Sequence, residues 1–324
     1  MSMRGRDAMF ALLLIGASRI EGGQADAPRP GPGEEIIEVS LTGICGSEVE
    51  DSKALTYRRP PVVMGHEIVG RLPNGSRVAV NPLLTCGGCG SCRCGRTNIC
   101  TSREVLGIHR PGGFAPYVAV PRGQLLGVPD DVSDRQAVMV EPIANGLHAW
   151  NMSGAGPAAR VAILGAGPIG LSVALAASSR RVAAIDVVEP VAERQQAAAA
   201  IGASVRDQPG SGYDVVVDCV GSCETRQASV AALAHGGTAV WLGLHSPAPG
   251  FDSLDLVRTE KTVRGSYGYT AGEFTEALAL AAGVPPGWVT EHPLEDGPAV
   301  FDSLWRGDLS SPKVALRPAA RGVA

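Results

Sequence analysis

This chain is poor in aromatic residues and lacks both a basic block and a long apolar run, and each shortage excludes a class of function. Only 4% of its 324 residues are aromatic, which is too few for a surface on which nucleic-acid bases stack. Its 28 basic residues, almost all arginine, are outnumbered by 32 acidic residues and form no basic block, which also excludes a nucleic-acid partner. No segment approaches the ~18 consecutive apolar residues of a membrane-spanning helix.

The N-terminal segment needs separate treatment, because its apolar run resembles a signal peptide. Arg4 and Arg6 precede the sequence AMFALLLIGAS. The alternative is a first β-strand over MFALLL, and the cysteine cluster described below favours it, since metal-bound thiolates suit a reducing compartment. We therefore predict a strand here and a cytoplasmic protein.

Five of the eight cysteines lie in one short segment, CGGCGSCRCGRTNIC. Cys86, Cys89, Cys92 and Cys100 have C-x2-C-x2-C-x7-C spacing, which lets four thiolates converge on one ion. A disulfide knot and idle thiols are the alternatives. The segment predicts a closed structural zinc site, in which Cys94, as a fifth cysteine, leaves the choice of the fourth ligand open.

The chain changes character near Trp150, which indicates two domains. Its first half has short β-prone segments between glycines and prolines: EEIIEVSLTGI, PVVMGHEIVGRL, SRVAVNP and FAPYVAVP. The second half alternates strands (VAILGAG, RVAAIDVVEP, DVVVDCVG, TAVWLGL) with helices (PIGLSVALAASS, AERQQAAAAIGA, SVAALAHGG). That alternation predicts an α/β fold with a doubly wound parallel sheet. The closing strand KVALRP is expected to rejoin the β-rich first domain, which is then discontinuous.

Gly165, Gly167 and Gly170 form a G-x-G-x-x-G motif directly after a strand. In this context the motif predicts a dinucleotide site, because the glycines permit a tight turn and close approach of backbone to a pyrophosphate. The helix that begins with Pro168 and Ile169 offers free N–H groups to phosphate. A glycine-rich turn without a ligand is the alternative.

An acidic residue at the end of the second strand completes the dinucleotide pattern. Glu189 is placed to accept hydrogen bonds from both ribose hydroxyls, and Asp186, earlier in the strand, is a rival that we rank second. A carboxylate at this position repels a 2′-phosphate, so the sequence favours NAD over NADP.

Three further motifs carry residues that can bind zinc: GICGSE with Cys45, GHE with His66 and Glu67, and VEP with Glu141. Each is weak alone, because a single histidine before glutamate is more often structural. Together they supply one thiolate, one imidazole and two carboxylates, the mixture that leaves a zinc ion open to substrate. Zinc in such a site is a Lewis acid that lowers the pKa of a substrate hydroxyl.

The chain resembles the zinc-dependent medium-chain dehydrogenase/reductase family over essentially its whole length, in the order GICGS, GHE, the four-cysteine segment, GGFAPY, EPIANGLHAW, GAGPIG and KVAL. The resemblance implies a GroES-like catalytic domain over residues 1–148 and 285–324, with a structural zinc lobe at 86–100. It implies a Rossmann NAD-binding domain over residues 149–284. Two zinc ions per chain and a homodimer or homotetramer are implied as well.

The resemblance also gives roles to the predicted zinc ligands. Cys45 and His66 match catalytic zinc ligands, and Glu67 matches an acid that either binds the metal or lies beside its ligands. Glu141 stands where the classical alcohol dehydrogenases have a second cysteine. A glutamate there resembles the branch of polyol (sorbitol-like), butanediol and threonine dehydrogenases.

Ser47 matches the hydroxyl that takes the substrate proton. The relay usually continues to a histidine five residues after the cysteine, but this chain has Glu50 there. Glu50 or water could carry the proton onward, or the site could favour reduction.

On the cofactor side, the resemblance covers four residues outside the glycine motif. Glu189 and Arg194 match the acid and base that hold the adenosine ribose. Leu242 and Leu244 match apolar residues that line the nicotinamide pocket.

These expectations combine into an NAD-dependent zinc alcohol dehydrogenase that oxidises a secondary alcohol of a polyol, sugar or cyclitol to a ketone. One alternative is a threonine-type amino-alcohol dehydrogenase, which Asn145 in EPIAN supports weakly. Another is a relative that binds a dinucleotide without catalysis. The presence of all four predicted catalytic zinc ligands argues against the last.

Overall fold

The computed structural model describes residues 8–245 and 252–319, so Arg4 and Arg6 lie outside the described residues. The chain divides into two compact units. Unit 1 comprises residues 1–140, 289–309 and 313–324, and unit 2 comprises residues 141–288 and 310–312.

The described residues contain both strands and helices, and none of these helices is long and apolar enough to cross a membrane. Strands β1–β18 are Ala8–Gly16, Arg19–Asp26, Glu34–Gly43, Val62–Val63, Glu67–Arg71, Arg77–Val80, Leu83–Leu84, Glu104–Val105, Tyr117–Pro121, Leu125–Gly127, Arg160–Leu164, Ala184–Val188, Ser204–Arg206, Tyr213–Asp218, Leu233–Trp241, Thr262–Gly265, Val289–Pro293 and Lys313–Arg317. Helices α1–α10 are Gly46–Ala54, Gly90–Arg93, Asp134–Ala137, Val140–Ser153, Pro168–Ser179, Ala192–Ala199, Cys223–Ala231, Ser253–Arg258, Ala271–Ala281 and Gly297–Arg306.

Unit 1 is built on a seven-stranded sheet with the order β10-β6-β5-β3-β18-β17, in which β9 also pairs with β3. The closing strand β18 pairs antiparallel with β3, so residues 313–317 belong to this sheet. The apolar run near the N-terminus forms the predicted strand, β1, in a smaller sheet with β2 and β4. Its side chains Leu12 and Leu14 are fully buried in a core with Phe114 and Phe301.

Unit 2 contains a six-stranded sheet with the order β13-β12-β11-β14-β15-β16, and all its pairings are parallel. This confirms the predicted doubly wound sheet. Strand β11 reads as a continuous apolar run because helices cover both faces of such a sheet, and Val161 to Leu164 are all buried.

One helix of unit 2 begins and ends earlier than predicted. The segment SVAALAHGG was expected to be helical, but α7 begins at Cys223 and ends at Ala231. Ser222 caps it, with Oγ accepting a hydrogen bond from the Thr225 N–H at 3.2 Å. From Leu233 onward the segment is part of β15, where pairing with β14 outweighs the helical preference of its alanines.

Candidate active site and dinucleotide site

The predicted ligands of the catalytic metal in unit 1 come from two strand ends. Cys45 follows the end of β3, while His66 and Glu67 stand at the beginning of β5. The two strands pair antiparallel with Gly43 opposite Glu67, which brings these ends together. One ligand atom from each of Cys45, His66 and Glu67 lies within 4.8 Å of the other two. A thiolate, an imidazole and a carboxylate at this spacing fit a zinc ion.

His66 is held by Glu48, a carboxylate that the sequence analysis did not single out. Glu48 Oε1 lies 3.1 Å from His66 Nδ1 and accepts a hydrogen bond from the Gly65 N–H at 2.8 Å. Its other oxygen accepts one from the Cys45 N–H at 3.1 Å. Because Glu48 engages Nδ1, the other ring nitrogen of His66, Nε2, is left for a metal.

The charges around His66 and Glu48 shift the pKa of both groups. Burial alone would raise the pKa of the Glu48 carboxyl, but His66, Arg58 and the Cys45 N–H outweigh burial and lower it. Burial alone would lower the pKa of His66, but the charges of Glu48 and Cys45 outweigh burial and raise it well above its usual value. The acid and the imidazole therefore stabilise each other's charged form.

Glu67 makes a buried ion pair with Lys313 of the closing strand. Lys313 Nζ lies 2.6 Å from both carboxylate oxygens and donates to the Ile44 carbonyl at 3.0 Å. The carboxylate fits here because residue 43 is glycine, where a Cβ would lie 1.9 Å from Glu67 Oε2. Glu67 is thus close to Cys45 and His66 while its charge is balanced by a lysine.

Ser47 lies in the first turn of α1, where its Oγ donates a hydrogen bond to Cys45 Sγ at 3.3 Å. Its side chain is exposed, as is that of Glu50 one turn further along the helix. The predicted proton acceptor is therefore next to the predicted thiolate ligand, and both it and Glu50 are open to water.

The cysteine segment, residues 86–100, brings four sulfur atoms together. The Sγ atoms of Cys86, Cys89, Cys92 and Cys100 lie within 4.8 Å of one another, whereas Cys94 is not one of this group. Cys100 Sγ is 3.5 Å from Cys86 Sγ and 3.9 Å from Cys89 Sγ. Four thiols at this spacing match the donor set of a tetrahedral zinc site.

Backbone N–H groups prepare two of these cysteines for metal binding. Hydrogen bonds from the backbone of Cys92 and Thr101 lower the pKa of the Cys89 thiol to about 5. The N–H of Cys86 acts in the same direction on the pKa of Cys100. Both shifts are toward the thiolate, the form that binds zinc, whereas burial and hydrogen bonds with neighbouring cysteines raise the pKa of Cys92 to about 12.

In unit 2 the glycine motif forms the turn between β11 and α5. Gly165 has a φ of +91°, in the left-handed region, and a Cβ on Gly170 would lie 1.9 Å from the Gly165 carbonyl oxygen. A Cβ on Gly167 would meet nothing within 4 Å, so the backbone there is open to a ligand. Helix α5 begins immediately after it with Pro168 and Ile169, which fits a site for pyrophosphate.

Glu189 follows β12 and is fixed against the glycine motif. Its Oε2 accepts a hydrogen bond from the Ala166 N–H at 2.7 Å, and its Oε1 accepts one from the Val191 N–H at 2.9 Å. The rival Asp186 is engaged elsewhere, since it accepts hydrogen bonds from the Tyr213 hydroxyl at 2.6 Å and pairs with Arg206 at 2.7 Å.

The remaining predicted cofactor residues are also in unit 2. Arg194 lies on α6, and its Nε makes no hydrogen bond to any residue in the described part of the chain. Leu242 and Leu244 follow β15, and the Leu242 N–H donates to the Asp218 carbonyl at 3.0 Å. Leu244 is 68% exposed.

Glu141, the fourth predicted ligand of the catalytic metal, belongs to unit 2, near the beginning of α4. Its side chain is 8% exposed, and its Oε1 accepts a hydrogen bond from Asn145 Nδ2 at 3.0 Å. Asn145, which follows it by one helical turn, thereby orients the carboxylate.

Sequence reasoning missed Glu48 and Lys313 as members of the candidate site. A weak signal for Glu48 existed, since it lies three residues after Cys45, the spacing at which a helix N3 carboxylate reaches back to the N-cap. Lys313 had a weaker one, because it is one of only three lysines and stands in the closing KVAL motif.

Two family models match the chain, one in each half. Residues 31–130 match the alcohol dehydrogenase GroES-like domain. Residues 168–283 match the zinc-binding dehydrogenase domain. The first match contains Cys45, His66 and the cysteine segment, and the second begins within the glycine motif.

Individual proteins are similar over most of the chain. L-galactonate-5-dehydrogenase of Escherichia coli (strain K12) is 30% identical over an alignment 286 residues long that covers 80% of this chain and 83% of that protein. An L-threonine 3-dehydrogenase of Streptomyces avermitilis is 34% identical over 291 residues, with 79% and 83% covered. The crystal structure of a zinc-binding dehydrogenase from Sinorhizobium meliloti 1021 bound to NADP is 29% identical, with a TM-score of 0.89 and coverage of 96% and 99%.

Proposed function

This chain belongs to the zinc-binding alcohol dehydrogenase family, and we propose that it oxidises a secondary alcohol of a polyol, sugar or cyclitol to a ketone with NAD. The fold class and the oxidoreductase activity follow from the family. The substrate class, the choice of NAD and the roles of individual residues are the proposal.

The observation that carries the proposal is the meeting of Cys45, His66 and Glu67 within 4.8 Å, next to the Ser47 hydroxyl. Cys45 and His66 would hold the catalytic zinc, with Glu67 beside them and Glu141 as a further ligand. A zinc ion in that place would act as a Lewis acid on the substrate oxygen. Ser47 would receive the proton that the substrate hydroxyl loses, and its exposure leaves a path to water or to Glu50.

We assign the second zinc ion to Cys86, Cys89, Cys92 and Cys100. The cysteine segment offers a complete tetrahedral donor set, with no position left for a substrate, so this ion would be structural. Cys94 would remain a free thiol.

NAD would bind unit 2 with its pyrophosphate against Gly167 and the first turn of α5. Glu189 would accept hydrogen bonds from the adenosine ribose, beside Arg194, while Leu242 and Leu244 would contact the nicotinamide. The carboxylate of Glu189 disfavours a 2′-phosphate, so we expect a higher kcat/KM with NAD than with NADP. Both cofactors have to be measured, because the similar protein from Sinorhizobium meliloti was crystallised with NADP.

The polyhydroxylated substrate class is supported by the similarity to an L-galactonate-5-dehydrogenase and by a glutamate, rather than cysteine, at position 141. A threonine-type amino-alcohol substrate is the second candidate, favoured by the similarity to L-threonine 3-dehydrogenases and by Asn145. The test is NADH formation with polyols, sugar acids, cyclitols, L-threonine and simple alcohols, each with NAD and with NADP.

The matched variants are Cys45→Ala and Cys94→Ala. Turnover of one hydroxyl class that is lost in Cys45→Ala and kept in Cys94→Ala supports the proposal and identifies the substrate class. A native protein that binds dinucleotide and one zinc ion but turns over nothing would indicate a catalytically inactive relative instead.

We further propose a cytoplasmic homodimer or homotetramer with a small alcohol or ketone as its only partner class. A catalytic domain over residues 1–148 and 285–324 and a cofactor domain over residues 149–284 are part of the same proposal. Metal-binding thiols support the reducing compartment. Light scattering on the purified protein tests the oligomeric state.

A further inference from the structure

Arg58 carries a positive charge deep within unit 1, where its side chain is 1% exposed. Its Nε donates to the Gly107 carbonyl at 3.1 Å, and its Nη1 donates to Asp51 Oδ2 at 3.1 Å and to the Ser47 carbonyl at 3.3 Å. Its Nη2 makes no hydrogen bond within residues 8–245 and 252–319, and lies 3.6 Å from Glu48 Oε1. One guanidinium thus faces two carboxylates and two carbonyls.

Asp51 fixes this guanidinium in place. Its carboxylate accepts the N–H groups of Thr56, Tyr57 and Arg58 at 2.7, 2.9 and 3.0 Å, which shapes the turn after α1. Burying a guanidinium costs several kcal/mol unless it is paired, and the pair then adds little net stability over apolar residues. Arginine suits the position because its planar fork stays charged and holds several acceptors at fixed angles.

The two carbonyls that Arg58 binds belong to segments beside the candidate metal site. One is the Ser47 carbonyl, in the turn that carries the predicted proton acceptor. The other belongs to Gly107, whose backbone packs against Gly65 so closely that a Cβ would lie 2.8 Å from the Gly65 carbonyl oxygen. Gly65 directly precedes His66, so the guanidinium joins the segments on both sides of the predicted ligands.

We infer that Arg58 is a positioning residue of the catalytic metal site. Its Nη2 lies 3.6 Å from the Glu48 oxygen that contacts His66 Nδ1, and its bond to the Ser47 carbonyl holds the turn that carries the Ser47 hydroxyl. The inference rests on the proposed function of Cys45 and His66 as metal ligands. Arg58 contacts neither ligand itself and acts through Glu48, both by facing its carboxylate and by holding the Ser47 carbonyl in the peptide bond that leads into it.

The test compares Arg58→Lys with Arg77→Lys in the full chain. Arg77 is a fair control, because it also pairs with a carboxylate in unit 1, that of Asp134 at 2.6 Å. Two readouts do not depend on turnover: the affinity of the catalytic site for zinc, and the visible absorption of Co²⁺ in that site, which reports the ligand geometry. We expect Arg58→Lys to weaken metal binding by about 10- to 100-fold and to change the cobalt spectrum. Arg77→Lys should change neither.

A double-mutant comparison with Glu48→Gln tests the route of the effect. If Arg58 acts through Glu48, the loss of metal affinity in the double variant is smaller than the product of the two single losses. Should Arg58→Lys not fold, Asp51→Asn tests the same network, because it loosens the guanidinium without removing it. We expect the same direction of spectral change there.

The inference is overturned if Arg58→Lys lowers stability while metal affinity and cobalt spectrum stay native, or if its effect multiplies fully with that of Glu48→Gln. An unchanged cobalt spectrum in Asp51→Asn, measured where Arg58→Lys does not fold, also contradicts it. If the Cys45→Ala variant holds as much metal as the native chain, the proposed function itself is overturned. That result is visible before any Arg58 variant is made.

Discussion

Lys313 and Glu67 are 246 positions apart in the chain, yet Lys313 Nζ lies 2.6 Å from both Glu67 carboxylate oxygens, and each side chain is 1% exposed. The closing strand β18 therefore does more than complete a sheet. It delivers the cation that balances a carboxylate next to two predicted metal ligands. A carboxylate held this way is restrained beside the metal position by its lysine.

Replacing Lys313 by methionine leaves the Glu67 carboxylate buried without its partner. We expect the free energy of unfolding in urea to fall by about 3–5 kcal/mol, because an uncompensated buried charge is costly. The double variant Glu67→Gln/Lys313→Met should recover part of that loss. Lys261→Met is the control: Lys261 is 5% exposed, but its partner Asp255 is 39% exposed and stays hydrated without the lysine, so we expect a smaller loss of stability. Equal losses for Lys313→Met and Lys261→Met would contradict this account.

The choice of the fourth structural zinc ligand leads to a second prediction. Cys92→Ser should lose one zinc ion per chain and lower the free energy of unfolding by more than ~3 kcal/mol, because metal binding contributes directly to folding. Cys94→Ser should keep all its zinc, since Cys94 is not among the four converging cysteines. Atomic absorption with urea unfolding checks both. Zinc loss in Cys94→Ser with retention in Cys92→Ser would reverse the assignment.

The features that could be predicted from the sequence are those encoded in short, local motifs. The glycine motif, the cysteine segment and the strand–helix alternation of unit 2 each depend on residues close in sequence, and the structure contains the turn, the converging sulfurs and the parallel sheet. Cys45, His66 and Glu67 could also be grouped, because their residue types together suit zinc.

The supporting residues could not be found in the same way. Glu48, Arg58 and Lys313 act through burial and through contacts between distant segments. The neighbouring sequence gives only weak signals for Glu48 and Lys313 and none for Arg58. The predicted position of α7 was wrong for a related reason. Ser222, which caps this helix, is followed by a polar stretch, so a prediction from apolar spacing placed the helix too late in the chain. The end of the predicted helix, from Leu233, instead forms a strand that pairs with β14.

Two glycines of the dinucleotide motif should respond differently to alanine. At Gly167 a Cβ meets nothing within 4 Å and φ is −69°, so Gly167→Ala should fold with native stability. Its methyl group would stand where the pyrophosphate approaches, and we expect at least ~10-fold weaker NAD binding. At Gly170 a Cβ would lie 1.9 Å from the Gly165 carbonyl oxygen, so Gly170→Ala should lose about 2 kcal/mol or more of stability.

Thermal unfolding and fluorescence titration with NAD separate these two effects. Gly46→Ala is the control for Gly167→Ala, because a Cβ added at Gly46 also meets nothing within 4 Å, but Gly46 lies in unit 1, outside the glycine motif. Native NAD affinity in Gly167→Ala would show that the cofactor does not pass over this residue.

Glu273 in unit 2 gives a prediction for the dependence of stability on pH. Burial alone would raise the pKa of its carboxyl, but hydrogen bonds from His148, the Thr270 N–H and Asn151 outweigh burial and lower the pKa to about 2. A carboxyl with a lower pKa in the folded state stabilises the fold above its unfolded pKa, near 4.5, and loses that contribution as the pH falls toward 2. Allowing for solvent screening, the contribution is about 2 kcal/mol.

Glu273→Gln should therefore be less stable than the native chain by about 2 kcal/mol at pH 6, and the difference should narrow as the pH falls below 4.5. Urea unfolding between pH 7 and pH 3.5, followed by far-UV circular dichroism, measures it. Glu276→Gln, three residues along the same helix and 42% exposed, should cost under ~0.5 kcal/mol at pH 6. A difference for Glu273→Gln that stays constant down to pH 3.5 would mean that the amide disturbs packing and that ionisation of Glu273 contributes nothing.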